Sequence, residues 1–119
     1  MKIPFFKEHE QYIPTVTNKD IERIISRDYS EANYNKIKEL IKNSYHETRV
    51  LAACLKNTAG VFEAFENEIK NTEIDCRDTL VDAEYPTYFK ESYNNKKLSI
   101  KEKNQLIKED KEKYLEWFN

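Results

Sequence analysis

The chain has 119 residues, 39% hydrophobic and 35% charged, with eight Tyr, six Phe and one Trp. That is enough large apolar material for one folded core and too much for a disordered polar tract. Twenty basic against twenty-two acidic side chains leave a formal charge of -2, without the basic excess of a protein that tracks phosphates. A single glycine, Gly60, and three prolines deny the chain the turn residues of a hairpin-rich β fold, and they exclude G-x-G-x-x-G and P-loop phosphate cradles.

Cys54 and Cys76 are widely spaced, and each falls within a helical pattern. They read as free thiols in a reducing cytoplasm rather than a disulfide framework. No stretch has the apolar run of a signal peptide or the roughly 20 apolar residues of a membrane span, so a cytoplasmic location away from membranes is expected. The fold class expected is all-α, one domain over residues 1–119. Five to six short helices in antiparallel hairpins, a bundle or a short helical-repeat array, would follow an extended N-terminal arm.

The arm is residues 1–16, where Phe5, Phe6, Tyr12, Ile13 and Val16 lie among Pro4 and Pro14, which disfavour helix in the residues before them. The helical body is residues 17–119. Thr17 with Asp20, ahead of Ile21, Ile24 and Ile25, predicts a capped helix over 18–28. Ser30 opens the next, over 31–44, with Tyr34, Ile37, Leu40, Ile41 and Tyr45 at helical spacing.

From Glu47, the run TRVLAACLKNTAG carries Val50, Leu51, Cys54, Leu55 and small alanines, and predicts the most buried helix. Gly60 serves as its C-cap before VFEAFENEIKN, although a kinked continuous helix is an alternative. Asp75 and Asp78 mark a short helix over CRDTLVDAEY that Pro86 ends, leaving Tyr88, Phe89 and Tyr93 in a loop. Ser99 and Glu102 form an S-x-x-E capping box, which predicts a last helix over about 100–118 anchored by Tyr114, Leu115, Trp117 and Phe118.

Chemistry is sparse. Glu8-His9-Glu10 and His46-Glu47 lack metal-ligand spacing, so no metal is expected. Cys54 sits on an apolar stripe, as a core thiol does, and no nucleophile elbow or Gly-rich oxyanion loop accompanies it. No catalytic residue and no cofactor is assigned. Charge is segregated: residues 60–91 carry Glu63, Glu66, Glu68, Glu73, Asp75, Asp78, Asp82, Glu84 and Glu91 against Lys70, Arg77 and Lys90, a local excess of six acids. Residues 96–113 are basic by three.

The segment CRDTLVDAEYPTY at 76–88 and the ending KEDKEKYLEWF at 108–118 resemble a set of small bacterial proteins patterned R-D-x-L, A-E-Y-P and D-x-x-x-Y-x-x-W. The opening IPTVTNKDIERIISRD is similar to their amino-terminal part. Those proteins have no assigned activity, so the resemblance implies a shared signature, Arg77, Asp78, Glu84, Tyr85, Pro86, Asp110, Tyr114 and Trp117, and no function. Physically the signature suggests an internal lock in which Arg77 pairs with an acid such as Asp110 while Tyr85, Tyr114 and Trp117 pack around it.

Three functions remain open. The first is a non-enzymatic interaction module of the adaptor or toxin-immunity type, meeting a basic partner protein through the acidic surface around residues 60–91. The second is a small-ligand binder or enzyme with an anion held by Arg77 beside Glu84, Tyr85 and Asp110. The third is a nucleic-acid accessory protein using the C-terminal lysines.

Overall fold

The computed structural model describes residues 13–94 and 97–119. It is all-helical, with seven helices among those residues: α1 (Asn18–Asp28), α2 (Glu31–Ser44), α3 (Thr48–Thr58), α4 (Phe62–Ile74), α5 (Arg77–Glu84), α6 (Pro86–Asn94) and α7 (Ile100–Phe118). Most of the expected arm lies outside the described residues. The chain divides into two compact units, Thr15–Leu80 and Val81–Asn119 with Ile13 and Pro14, the division falling inside α5.

In the 15–80 unit, α1 starts where the capping box places it: the Thr17 hydroxyl accepts from the Asp20 N–H at 3.2 Å, and the Asp20 carboxylate accepts from the Thr17 N–H at 2.9 Å. The hydrogen bonds from the Thr17 N–H and hydroxyl, with the Arg23 guanidinium nearby, hold the Asp20 carboxyl below its ordinary pKa. Ile21, Ile24 and Ile25 are buried. α1 and α2 run antiparallel, tied across by the Lys38–Glu22 ion pair at 2.8 Å. α2 and α4 lie side by side in the same direction, since Lys36 sits over the Phe62 ring and the His46 Nε2 meets the Thr72 hydroxyl at 2.8 Å.

The core of this unit is α3, whose residues Val50–Leu55 are all buried. Six consecutive buried residues in the middle of a helix have to be enclosed from several sides, and here α1 and α4 pack against it. Ala52 and Ala53 let the neighbouring backbones approach. Ile24, Ile37, Leu55 and Phe65 are wholly removed from water, each contributing about 2 kcal/mol by area. Tyr29 meets Phe65 edge-on and shares a hydrogen bond with Thr58.

Between α3 and α4 the helix is broken rather than kinked, because Ala59 (φ 45) and Gly60 (φ 88) both adopt left-handed backbone. Gly60 is also pressed against the end of α1, where an added Cβ would stand 2.5 Å from the Asp28 carbonyl oxygen.

In the 81–119 unit, α6 and α7 form an antiparallel hairpin. α7 begins with the Ser99–Glu102 capping box, closed at 3.1 and 3.3 Å, and buries Ile107, Asp110, Tyr114 and Phe118. Seven helices stand where five to six were expected. The difference is the stretch from Pro86, read as loop, which is helical. Pro86 is the first residue of α6, the position where its fixed φ suits a helix and its missing N–H costs nothing. The proline therefore ends one helix and opens the next.

Substituting Gly60 by alanine is expected to cost about 2 kcal/mol, combining backbone strain with the clash on Asp28. Ala59→Gly, relieving strain alone, should gain about 1 kcal/mol. Urea unfolding midpoints of the two variants should move in opposite directions.

Candidate functional site

The signature residues converge only in part. α5 ends at Glu84 and α6 starts at Pro86, so Tyr85 alone joins them, its N–H bonding back to Val81 and its carbonyl accepting from Phe89. Tyr85 has no side-chain oxygen that can reach back as a cap, and Pro86 has no N–H. The first donors that α6 offers are Thr87 and Tyr88. Both are taken by one carboxylate from α7: Asp110 accepts from the Thr87 N–H at 3.2 Å and the Tyr88 N–H at 2.8 Å. Asp110 is 2% exposed, so these charge-assisted bonds at a helix N-terminus are shielded from water. It is a cap delivered by tertiary structure rather than by sequence neighbours.

Arg77, read from the sequence as the partner of an acid such as Asp110, is engaged within the 15–80 unit by Asp75. The Arg77 guanidinium grips Asp75 at 2.8 and 3.1 Å, and the Arg77 N–H also donates to Asp75 at 2.9 Å. The pair is exposed; Arg77 lowers the Asp75 pKa, chiefly through the side-chain hydrogen bond. The reason is chain geometry: a carboxylate two residues away needs no tertiary arrangement to reach the guanidinium. Asp78 is exposed on the first turn of α5, while Glu84 and Tyr85 are buried. Tyr114 packs edge-on against Trp117 at 5.5 Å and stacks on Phe118 at 6.0 Å. The aromatic cluster thus belongs to successive turns of α7, on the stretch that carries Asp110.

No protein-family model, curated protein or solved structure matches the chain.

The other candidate residues are structurally occupied. The His46 ring bonds Thr72, and the Glu8-His9-Glu10 triplet lies outside the described residues. Among the described residues no three His, Cys, Asp or Glu side chains gather as a metal donor set. Cys54 is fully buried, and burial, with the Glu68 carboxylate nearby, pushes its thiol up to about 12; a thiol so far from its thiolate is a poor nucleophile. A groove of about 350 Å³ runs between α6 and α7, lined by Thr87, Glu91, Leu98, Glu102, Gln105 and Leu106. Its polar groups are partly committed, Glu102 to the Ser99 cap and Gln105 to Glu109.

Reading the residues after Pro86 as loop hid one feature, an outward stripe of Phe89 and Tyr93 on α6. The signal was present as proline at a first helical position followed by aromatics four residues apart.

Asp110→Ala is expected to cost about 2 kcal/mol in chemical denaturation, since it removes a cap and strands two part-buried donors. Arg77→Ala, removing an exposed local pair, should stay within about 0.5 kcal/mol of the parent. For Cys54, the raised folded-state pKa makes a stabilising contribution that is complete below the ordinary thiol value of 9.0 and is lost as pH rises towards 12. An aromatic disulfide reagent at mildly alkaline pH should therefore leave Cys54 unlabelled until denaturant is added.

Proposed function

We propose that this chain is a non-enzymatic protein-interaction module, of the adaptor or toxin-immunity type, working in the bacterial cytoplasm and meeting a basic partner protein. The reading rests on the acidic stretch of the 15–80 unit. Ile74, at the end of α4, is 88% exposed between the exposed acids Glu73 and Asp75. Glu63 on the same helix and Asp78 on the next are exposed as well. A large aliphatic side chain left in water among carboxylates suits a partner that brings both an apolar contact and positive charge.

The acids do not all serve one face. Glu68 turns to the Thr79 hydroxyl and Asp75 to Arg77, so Glu63, Glu73 and Asp78 are the carboxylates assigned to the partner. The anion-binding reading has less support, because Asp75 fills the Arg77 fork and Asp110 fills the N-terminus of α6. An anion would have to displace a carboxylate that is already in place at either position. No observation favours the nucleic-acid reading of α7, whose lysines alternate with Glu102, Glu109, Glu112 and Glu116.

The test is capture from extracts of the native cell with the parent chain, a Glu63→Lys/Glu73→Lys/Asp78→Lys variant and an Ile74→Ser variant. The parent is expected to retain a basic protein that raised salt releases, and both variants should lose it with unchanged thermal unfolding. Equal retention by the variants would overturn the proposal. A toxin gene beside this one, its product binding the purified chain, would single out the immunity role.

A further inference from the structure

The turn between α2 and α3 holds one aromatic side chain out in water on a strained backbone. Tyr45, the residue that ends α2, is left-handed (φ 60, ψ 19), a conformation that crowds a Cβ and is ordinarily left to Gly or Asn at a helix end. Such strain persists where the surroundings over-determine it, and here both neighbours of Tyr45 are pinned. Ser44 is buried, its hydroxyl donating to the Ile41 carbonyl at 2.8 Å and accepting from the His46 N–H at 3.4 Å. The His46 ring is fixed on the Thr72 hydroxyl of α4. The Tyr45 side chain itself is 95% exposed, so the strain serves no packing within the unit.

The same His46–Thr72 bond brings the C-terminal end of α2 beside that of α4, where Ile74, two residues beyond Thr72, is 88% exposed. Tyr45 and Ile74 are the two most exposed large apolar side chains among the described residues, and they stand at one end of the 15–80 unit. We infer that Tyr45 is the aromatic anchor by which this unit holds its partner protein, the ring entering an apolar pocket rimmed by Lys or Arg side chains, with Ile74 as the second contact. The inference rests on the interaction role proposed above and names the residue that carries most of its binding energy.

The chemistry of the side chain fits that role. Tyrosine is a frequent anchor of protein interfaces because it buries a large ring at the loss of few rotatable bonds, and a backbone fixed beforehand loses less still. The face of the ring attracts ammonium and guanidinium groups, which agrees with a basic partner. The last turn of α4 carries no basic residue, and Glu73 is exposed beside Ile74. Lys42 and Lys70 lie about a turn earlier on their helices, so apolar contact and the ring face, rather than net charge, dominate at this end.

The test uses the full chain and three variants, Tyr45→Gly, Tyr45→Phe and Ile74→Ser. The basic protein that the parent retains from native-cell extract is identified by mass spectrometry, purified and titrated against each chain. Because glycine is at ease in left-handed backbone, Tyr45→Gly should keep a urea midpoint at or above the parent's while its affinity falls at least about tenfold. Tyr45→Phe, which keeps the ring, should bind nearly as the parent does. Affinity lost from a fold that is not weakened separates an anchor from a structural residue. Unchanged affinity of Tyr45→Gly beside a loss in Ile74→Ser would overturn this inference and leave the interaction role standing, whereas a parent that retains no basic protein would overturn both. A lowered urea midpoint for Tyr45→Gly would also count against it, since the backbone would then carry no strain to explain.

Discussion

A single carboxylate decides how the last third of the chain is built. Asp110 accepts the Thr87 and Tyr88 N–H groups, and without it α6 would begin with a proline, no capping side chain and two orphaned donors close to the interior. Such an end costs roughly what a helix cap contributes, on the order of 1–2 kcal/mol, a large share of the margin by which a small domain is folded. The same contact sets the position of α6 along α7, and so which α6 residues face the partner helix and which face water. Thr87 and Tyr88 turn inward, and Phe89 and Tyr93 are left outside.

The first unit obeys a different constraint. The middle of α3, Val50–Leu55, is wholly buried, α1 and α4 cover it, and the groups buried with it are chemically quiet. Cys54 is held as a neutral thiol, Thr58 and Thr72 spend their hydroxyls on the helix carbonyls of Cys54 and Ile69, and His46 is tied to Thr72. Reactive chemistry needs groups that are accessible, and Cys54, Thr58 and Thr72 are buried. On the outside the two units differ in character: Ile74 is exposed between Glu73 and Asp75 in one, and Tyr93, Lys97, Ile100 and Lys101 are exposed in the other.

The residues that the sequence singled out gain a physical meaning from their places in the two units. Tyr85 and Pro86 form the break between two helices, Asp110 caps the second of them, and Tyr114 and Trp117 pack on the turns of α7 that follow. Arg77 and Asp78 belong to the start of α5, with Arg77 closing on Asp75. The sequence suggested that the two ends of the signature meet through an ion pair. Within its own unit the Asp110 carboxylate of α7 meets backbone N–H groups, and within the other Arg77 is satisfied by its near neighbour Asp75.

Helix positions were legible in the chain wherever the determining interaction is local. Thr17 with Asp20 and Ser99 with Glu102 close capping boxes over three residues, so α1 and α7 could be placed from sequence alone, whereas at Gly60 the sequence left a C-cap and a kinked helix open until the left-handed Ala59–Gly60 backbone decided it. Burial of α3 was legible too, because the unbroken run Val50–Leu55 leaves its central turns without a polar side chain. Three things required tertiary structure: α6, the partner of Asp110, and the exposure of Phe89 and Tyr93. The cap of α6 comes from a residue more than twenty positions away, and no local pattern encodes such a contact. A proline after a helical run reads equally well as an end and as a beginning until the carboxylate that rescues the new helix is in place.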